Sequence, residues 1–269
     1  MKLIFPPLSD VDKIKEMKFP SKLSNSLSEF VGIHIGDGHL AYHKDQSEYF
    51  FQVCGHQIKD KIYYDIIIYN LLKKLFNIDR KPKYFSSKTY GYQIYSKGLF
   101  YFLWKNFKVP DGKKTHTVRI PKIFFKENKF MKHCLRGIID TDFYFYIQKD
   151  KGPIVGAWFA SRDLVIDLQH AFHILGIKSS IMLDDFYIDK RTGKKYIRHR
   201  ILIRGKNQVN KWFEVIGTHH PLFLCKYTNW KRGINLKDID ILNNPKLLDN
   251  FALVDSSSAK LKFGTANVV

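Results

Sequence analysis

The chain has 269 residues and is 45% hydrophobic, enough for a buried core and too much for wholesale disorder. Lys and Arg outnumber Asp and Glu 45 to 25, a formal charge of +20, which predicts a polyanionic partner, nucleic acid first, because phosphate contacts supply most non-specific affinity. No run approaches the ~20 apolar residues of a spanning helix, no basic amphipathic helix stands apart from the core pattern, and Cys54, Cys134 and Cys225 are too scattered for a disulfide framework or zinc site, so a reducing, intracellular (cytoplasmic) setting without a membrane is expected.

Residues 1–23 read as an N-terminal extension, whose apolar start is too short for a signal peptide. A first repeat with its linker spans 24–125. Ser26 and Glu29 have capping-box spacing before an apolar helix, "FVGIHIGDGHL". Aromatic and β-branched residues then predict strands around Leu40–Lys44 and Tyr49–Cys54. "IKDKIYYDIIIYNLLKKLFNI" has helical spacing, "KYFSSKTYGYQIYSKG" alternates as a hairpin, and "LFYFLWKNF" closes the repeat as a helix. In the linker, Pro110, Gly112 and Pro121 forbid a continuous helix.

The same order returns over 126–232. "FMKHCLRGIIDTDF" is the opening helix, and two strands turn around Asp150–Gly152. "RDLVIDLQHAFHILGI" is an amphipathic helix with Gly176 as its C-cap. A long hairpin turns near Gly193, and "NQVNKWFEVIG" is the final helix. Residues 233–269 read as a tail to which no chemistry is assigned. The expected fold class is therefore α/β, more exactly α+β: two pseudo-symmetric αββαββα repeats. Such a protein carries a pseudo-twofold axis, as duplex DNA does locally.

The two opening helices match place by place. Phe30 to Gly38 and Leu135 to Phe143 both have glycine third (Gly32, Gly137), a small residue seventh (Gly36, Thr141) and aspartate eighth (Asp37, Asp142). Small residues four apart share a helix face. They cost about 1 kcal/mol of helix propensity per glycine, and close approach of two helix backbones is the reason to bear that cost. If the helices pair in parallel, Asp37 and Asp142 converge at helix C-termini, where negative charge is unfavourable. A bound divalent cation resolves the conflict, and oxygen ligands of this kind suit Mg²⁺ or Mn²⁺. A metal there can activate water against a phosphodiester. Gly36 and Thr141, one place earlier, are included as candidate ligands.

These two nonapeptides resemble the paired motifs of single-chain LAGLIDADG homing endonucleases, over roughly Ser24 to Trp230. The resemblance implies paired motif helices at the interface, a saddle of β-strands on DNA, and metal-dependent cutting of both strands, with Asp37 and Asp142 as the catalytic acids. It also implies a lysine beside the scissile phosphates, and Lys114 and Lys226 occupy similar places after the last helix of each repeat. There are departures. The sixth place is Ile35 in the first motif but Asp140 in the second. The ninth place is Gly38 in the first but Phe143 in the second. If the ninth place needs positive φ, Phe143 distorts the second site and biases cutting toward one strand.

Candidate DNA contacts come from the hairpins. Gln52, Lys88 and Gln93 lie in or beside the strands of the first repeat, and Lys190, Arg191, Lys194, Lys195, Arg198, Arg200 and Arg204 in the second hairpin. Arg198, Arg200 and Arg204 share a strand face by parity, and Asp184 and Tyr187 share one on their own strand only if the register allows. A two-stranded ribbon fits the major groove, where Arg and Gln read base edges and other cations hold phosphates. His34 reads as a packed core residue, and His219 with His220 as poor zinc partners. The function expected is an intron-encoded, site-specific double-strand DNA endonuclease, acting as a monomer on a long asymmetric site. The alternatives are a catalytically silent DNA- or RNA-binding protein (a maturase or regulator), a nuclease with an Asp…Asp/Glu-x-Lys site, for which "LDDFYIDK" is a loose match, and an intein-embedded enzyme. The ends, Met1 and "TANVV", carry no splicing residues, so a free-standing protein is the expectation.

Overall fold

A computed structural model describes residues 2–86, 88–149, 151–244 and 246. It contains both repeats in the expected order. Helix α1 (Asp10–Ile14) lies in the N-terminal extension. The first repeat runs through α2 (Asn25–Asp37), β1 (Gly38–His43), β2 (Glu48–His56), α3 (Tyr69–Phe76), β3 (Lys83–Tyr84), β4 (Thr89–Tyr95) and α4 (Lys97–Phe107). The second runs through α5 (Asn128–Asp142), β5 (Tyr144–Gln148), β6 (Gly152–Phe159), α6 (Arg162–Ile174), β7 (Ser180–Ile188), β8 (Lys195–Arg204) and α7 (Lys206–Val215). Two further helices follow, α8 (Pro221–Arg232) and α9 (Asp238–Asn243). Each repeat builds a four-stranded antiparallel sheet, in the orders β1-β2-β4-β3 and β5-β6-β8-β7. The mixture of helices and antiparallel sheets is the α+β class.

Alternation positions the sheets. In β2, Phe51 and Val53 are buried while Phe50 and Gln52 stay partly exposed. In β8, His199, Ile201 and Ile203 face the core, so Arg198, Arg200 and Arg204 fall on the opposite face by the period of two. The helices cover the core faces. Leu71, Leu72, Leu75 and Phe76 of α3 are buried, and Phe76 packs edge-on against Phe30 of α2 with ring centroids 5.0 Å apart. Each such side chain contributes about 1.5–3 kcal/mol of burial. The extension is held by Asp12, which is wholly buried and accepts hydrogen bonds from Ser96 Oγ (2.6 Å) and the Gly98 amide (2.9 Å) at the start of α4.

The chain departs from its sequence expectation at several places. Ser26 is not the cap of α2: Ser24 is, accepting from the Leu27 amide, and Glu29 is instead buried in the interface. The helix expected through "IKDKIYYDIIIYNLL" begins with a π-helical turn, Tyr63–Ile68, before α3. The second repeat ends in an extra helix, α8, and the segment read as a tail from residue 233 contains α9. Helix α8 starts with Pro221 at its first turn, where a missing N–H costs nothing, and α9 buries Ile241. Of the assigned tail, Pro245 and residues 247–269 lie outside the described residues, as does the turn residue Asp150. The expected turns at Gly176 (φ +69°) and Gly193 (φ +67°) take the left-handed conformation that glycine permits.

Candidate functional site: the paired helix ends

Helices α2 and α5 pack along their lengths in parallel. A methyl group built on Gly137 would lie 2.3 Å from the Glu29 carbonyl oxygen, and one on Gly36 would overlap the Thr141 hydroxyl. The contacts advance together along both helices, so both C-termini arrive at one place, and each ends in aspartate. The Gly36 position faces the Asp142 carboxylate, whose Oδ2 would be 2.9 Å from an added Cβ.

Both carboxylates are held above the usual range. Burial raises Asp37 most, followed by the charges of Asp142 and Asp60, against a lowering hydrogen bond from Tyr64. Burial pushes Asp142 up to about 6, opposed by Lys114. Asp142 is exposed to solvent on one side, and the protein around the rest of its carboxylate is what raises its pKa. Asp37 is half-buried.

Lys114 is brought to the site. Its Nζ donates to the carbonyls of His34, Ile35 and Gly36 at 2.5–2.7 Å, placing a cation on the negative end of α2. Burial lowers its pKa to about 8, opposed by the charges of Asp142 and Asp37. Lys226 is not placed in the same way. It lies within α8 rather than after a final helix, and Lys114 is the cation that acts on Asp142. Nothing in the spacing of "HHPLFLCKYTNW" marks that extra helix except the Pro221 start.

The ninth-place expectation is overturned. Gly38 (φ −81°) and Phe143 (φ −87°) are both extended, so Phe143 is unstrained, and its ring packs 5.9 Å from Phe159. Gly38 is needed for another reason: a Cβ there would overlap the His34 imidazole. His34 is a packed core residue, buried and stacked on Phe51 at 5.4 Å, and burial holds it neutral by lowering its pKa.

Sequence reasoning missed the network beside the helix pair. Glu29 bonds His219 Nδ1 (2.5 Å), and Arg136 bonds His219 Nε2 (3.0 Å) and the Ile216 carbonyl (2.8 Å). Asp140, the sixth-place acid, is engaged by the Thr218 hydroxyl (2.5 Å) and the His219 amide (2.9 Å). It anchors the loop after α7 and does not point to the paired carboxylates. His220 bonds Asp60 at 3.1 Å. Only the capping-box spacing had singled out Glu29, and for a different role.

The donor set fits a divalent cation shared with a substrate. Mg²⁺ is commonly held by one or two carboxylates plus phosphate oxygens and waters, and Asp37 and Asp142 supply two carboxylates with one buried lysine as counter-charge. Thr141 Oγ1 already donates to the Gly137 (2.9 Å) and Ile138 (3.1 Å) carbonyls, and the Gly36 carbonyl is bonded to Lys114. Among the described residues no group of three or more His, Cys, Asp or Glu gathers to hold a metal unaided.

The open sheet faces flank these helix ends, because β1 leaves directly from Asp37 and β5 follows Asp142. On the first sheet Gln52 stands opposite Gln93, with His39 on its other side. Lys88 is in the β3–β4 turn. On the second, Arg198 is tied to Asp185 (2.8 Å) and stacks 3.8 Å over Trp158 and 4.8 Å over Tyr187. Arg200 lies 5.0 Å from the same Trp158 ring. A register shift between Met182 and Asp185 separates Asp184, beside Arg162 and His199, from Tyr187, beside Arg198. Lys190, Arg191 and Lys194 are exposed in the β7–β8 turn, and Lys195 and Arg204 are exposed on β8.

This architecture is the LAGLIDADG fold, with two repeats in one chain. Residues 129–217 match the family model described as the LAGLIDADG-like domain. Among solved structures the chain is similar to the homing endonuclease I-DmoI in complex with DNA and Ca, with a TM-score of 0.53 and 16% identity over 76% of this chain and 97% of that one. It is likewise similar to the homing endonuclease I-WcaI bound to its DNA recognition sequence, with a TM-score of 0.51 and 13% identity over 77% of this chain and 87% of that one. Among curated proteins it is 24% identical over 250 residues to the glutamine–fructose-6-phosphate aminotransferase (isomerizing) of Methanocaldococcus jannaschii. That match takes 91% of this chain and 21% of the relative, so the chain spans about a fifth of that protein's length. No helix among the described residues is long and apolar enough to cross a membrane.

Proposed function

We propose that the protein is a site-specific double-strand DNA endonuclease of the homing type, acting as a monomer with Mg²⁺ or Mn²⁺ on a long asymmetric site. The observation that carries this is the meeting of Asp37 and Asp142 at two helix C-termini, with Lys114 as the cation acting on both. Two carboxylates crowded together and partly desolvated, in a protein of charge +20, form a site short of positive charge inside a molecule that attracts phosphate. Asp37 and Asp142 would hold the metal, which supplies an activated water and stabilises the leaving oxygen. Lys114 neutralises charge that develops on the phosphate. The open sheet faces hold the duplex, Gln52 and Gln93 on one half and Arg198, Arg200 and Arg204 on the other. The exposed lysines of the β7–β8 turn contact phosphates. The likeness of the fold to homing endonucleases in DNA complexes supports the reading.

The test is incubation of a randomised duplex library with Mg²⁺ and with EDTA, followed by sequencing of the ends. Mg²⁺-dependent cuts within one long motif are expected. Asp37→Asn and Asp142→Asn should each lower cutting more than about 100-fold, beyond the 10–100-fold typical of outer-shell metal partners, with DNA binding retained. Specific retention without any cut would overturn the endonuclease reading in favour of a silent DNA- or RNA-binding protein.

A further inference from the structure

The two aspartates are not held alike. Tyr64 Oη donates to Asp37 Oδ2 at 3.1 Å, and the Tyr64 side chain is wholly buried. Among the described residues no hydrogen bond reaches the Asp142 carboxylate. A buried hydroxyl needs a partner, and here the partner is the candidate metal ligand itself.

The surrounding backbone is shaped to bring this ring to that carboxylate. Tyr64 belongs to the π-helical turn Tyr63–Ile68, and single π turns inside helices concentrate at functional sites. The matching helix of the second repeat, α6, is α-helical throughout. Gly55 on β2 pairs with Tyr90 and Gly91 on β4 pairs with Cys54, so the two glycines lie diagonally across adjacent strands. A Cβ on either glycine would come within 2.9 Å of the Tyr64 ring, and Gly91 has φ +156°. Two glycines in adjacent strands weaken a sheet, and the Tyr64 ring packs against both, beside the Asp60 carboxylate at Gly55 and the Val53 and Cys54 backbone at Gly91. The π turn and the two glycines thus together accommodate the buried ring whose hydroxyl reaches Asp37, an arrangement made in the first repeat.

We propose that Tyr64 is a positioning residue that fixes the Asp37 carboxylate, so that the two halves of the site are inequivalent and the two DNA strands are cut through differently supported aspartates. This rests on the endonuclease reading above. Tyr64 touches no reacting atom. It acts by removing the rotational freedom of the Asp37 carboxyl group, which Asp142 retains.

The test uses Tyr64→Phe in the full chain, which keeps the ring between Gly55 and Gly91 and removes only the hydroxyl. On a supercoiled plasmid bearing the target, with each strand end-mapped, the variant should slow one strand about 10–100-fold, the loss typical of an outer-shell partner. The other strand should stay within about twofold, and nicked circles should accumulate. The slowed strand should be the one most affected by Asp37→Asn. A merely structural defect would slow both strands together and lower the melting temperature. Equal rates on both strands in the variant, whether at the wild-type level or jointly reduced, would overturn the proposal. Mn²⁺ binding, followed by electron paramagnetic resonance on the protein alone and with target DNA, gives a readout independent of cutting. Tyr64→Phe should weaken binding in the same way as Asp37→Asn, though less. If the wild type binds Mn²⁺ but cuts nothing, the endonuclease reading fails while weakened Mn²⁺ binding in the variant still supports the role of Tyr64. Unchanged Mn²⁺ binding in the variant, or none in the wild type, overturns it.

Discussion

Gly32 of α2 faces the backbone of Cys134 of α5 so closely that a methyl group built on it would lie 2.0 Å from the Cys134 carbonyl oxygen. The obstacle is backbone, which cannot swing aside as a side-chain tip would. Gly32→Ala gains about 1 kcal/mol of helix propensity but must force the helices apart at their closest point, and overpacking costs about 1–3 kcal/mol or more. The clash wins. We expect a net loss of about 2 kcal/mol or more in urea unfolding, and loss of cutting as Asp37 and Asp142 separate. A Gly32→Ala variant as stable as the wild type would show that the helices do not meet here.

Glu29 joins the halves chemically as Gly32 joins them sterically. Burial by itself would raise its pKa, but His219, Arg136 and His133 together hold it below its usual value, with Arg136 at 3.8 Å. Removing one partner of a buried ion pair costs about 3–5 kcal/mol, because the other charge is left uncompensated. Glu29→Ala should lose about that much, read as a lowered midpoint in chemical unfolding. A lowered carboxyl pKa is a stabilising contribution present at neutral pH and lost as pH falls through the folded value. The wild type should therefore lose more stability in acid than Glu29→Ala does.

The carboxylates at the helix ends give the opposite slope. The folded pKa of Asp142, about 6, lies above its ordinary 3.8, so between these values the folded state binds more protons than the unfolded chain and stability falls as pH rises. Lys114 has a folded pKa of about 8 against an ordinary 10.5. There the folded state binds fewer protons, and stability rises with pH through that window. Thermal melts of metal-free protein should show both slopes. Asp142→Asn should flatten the lower one and Lys114→Met the upper one, the latter at lower overall stability because three carbonyls lose their donor. A lower slope unchanged in Asp142→Asn would remove this aspartate from the titrating pair.

The two sheet faces offer different readers. Gln pairs with adenine edges, while Arg pairs with guanine O6 and N7, each bidentate contact contributing about 1–3 kcal/mol of discrimination. Gln52→Ala and Arg200→Ala should therefore relax specificity in opposite halves of the selected site. Lys194→Ala, in the exposed β7–β8 turn, should weaken binding to all sequences alike and reduce the salt slope by about 1. Loss of specificity from Lys194→Ala, or a uniform loss from Arg200→Ala, would exchange their roles.

The repeated αββαββα order, the alternation of the strands and the small residues that bring together the helices ending in Asp37 and Asp142 are all legible along the chain. These depend on local periodicity and on small residues four apart, which any reader of the chain can count. Lys114 was marked only through the resemblance to a family, and by a criterion that marked Lys226 equally. The remaining relationships arise from the folded chain. It gave Glu29 to His219, 190 residues away, rather than to a capping box, and set Asp140 to anchoring a loop. It kept Lys226 inside α8 and left Phe143 unstrained beside Phe159. It carried Tyr64, lost to the eye within an apolar run, past Gly55 and Gly91 to Asp37. Burial and charge pairing between distant residues depend on which segments meet in space, and spacing along one chain does not encode which acid will find which base.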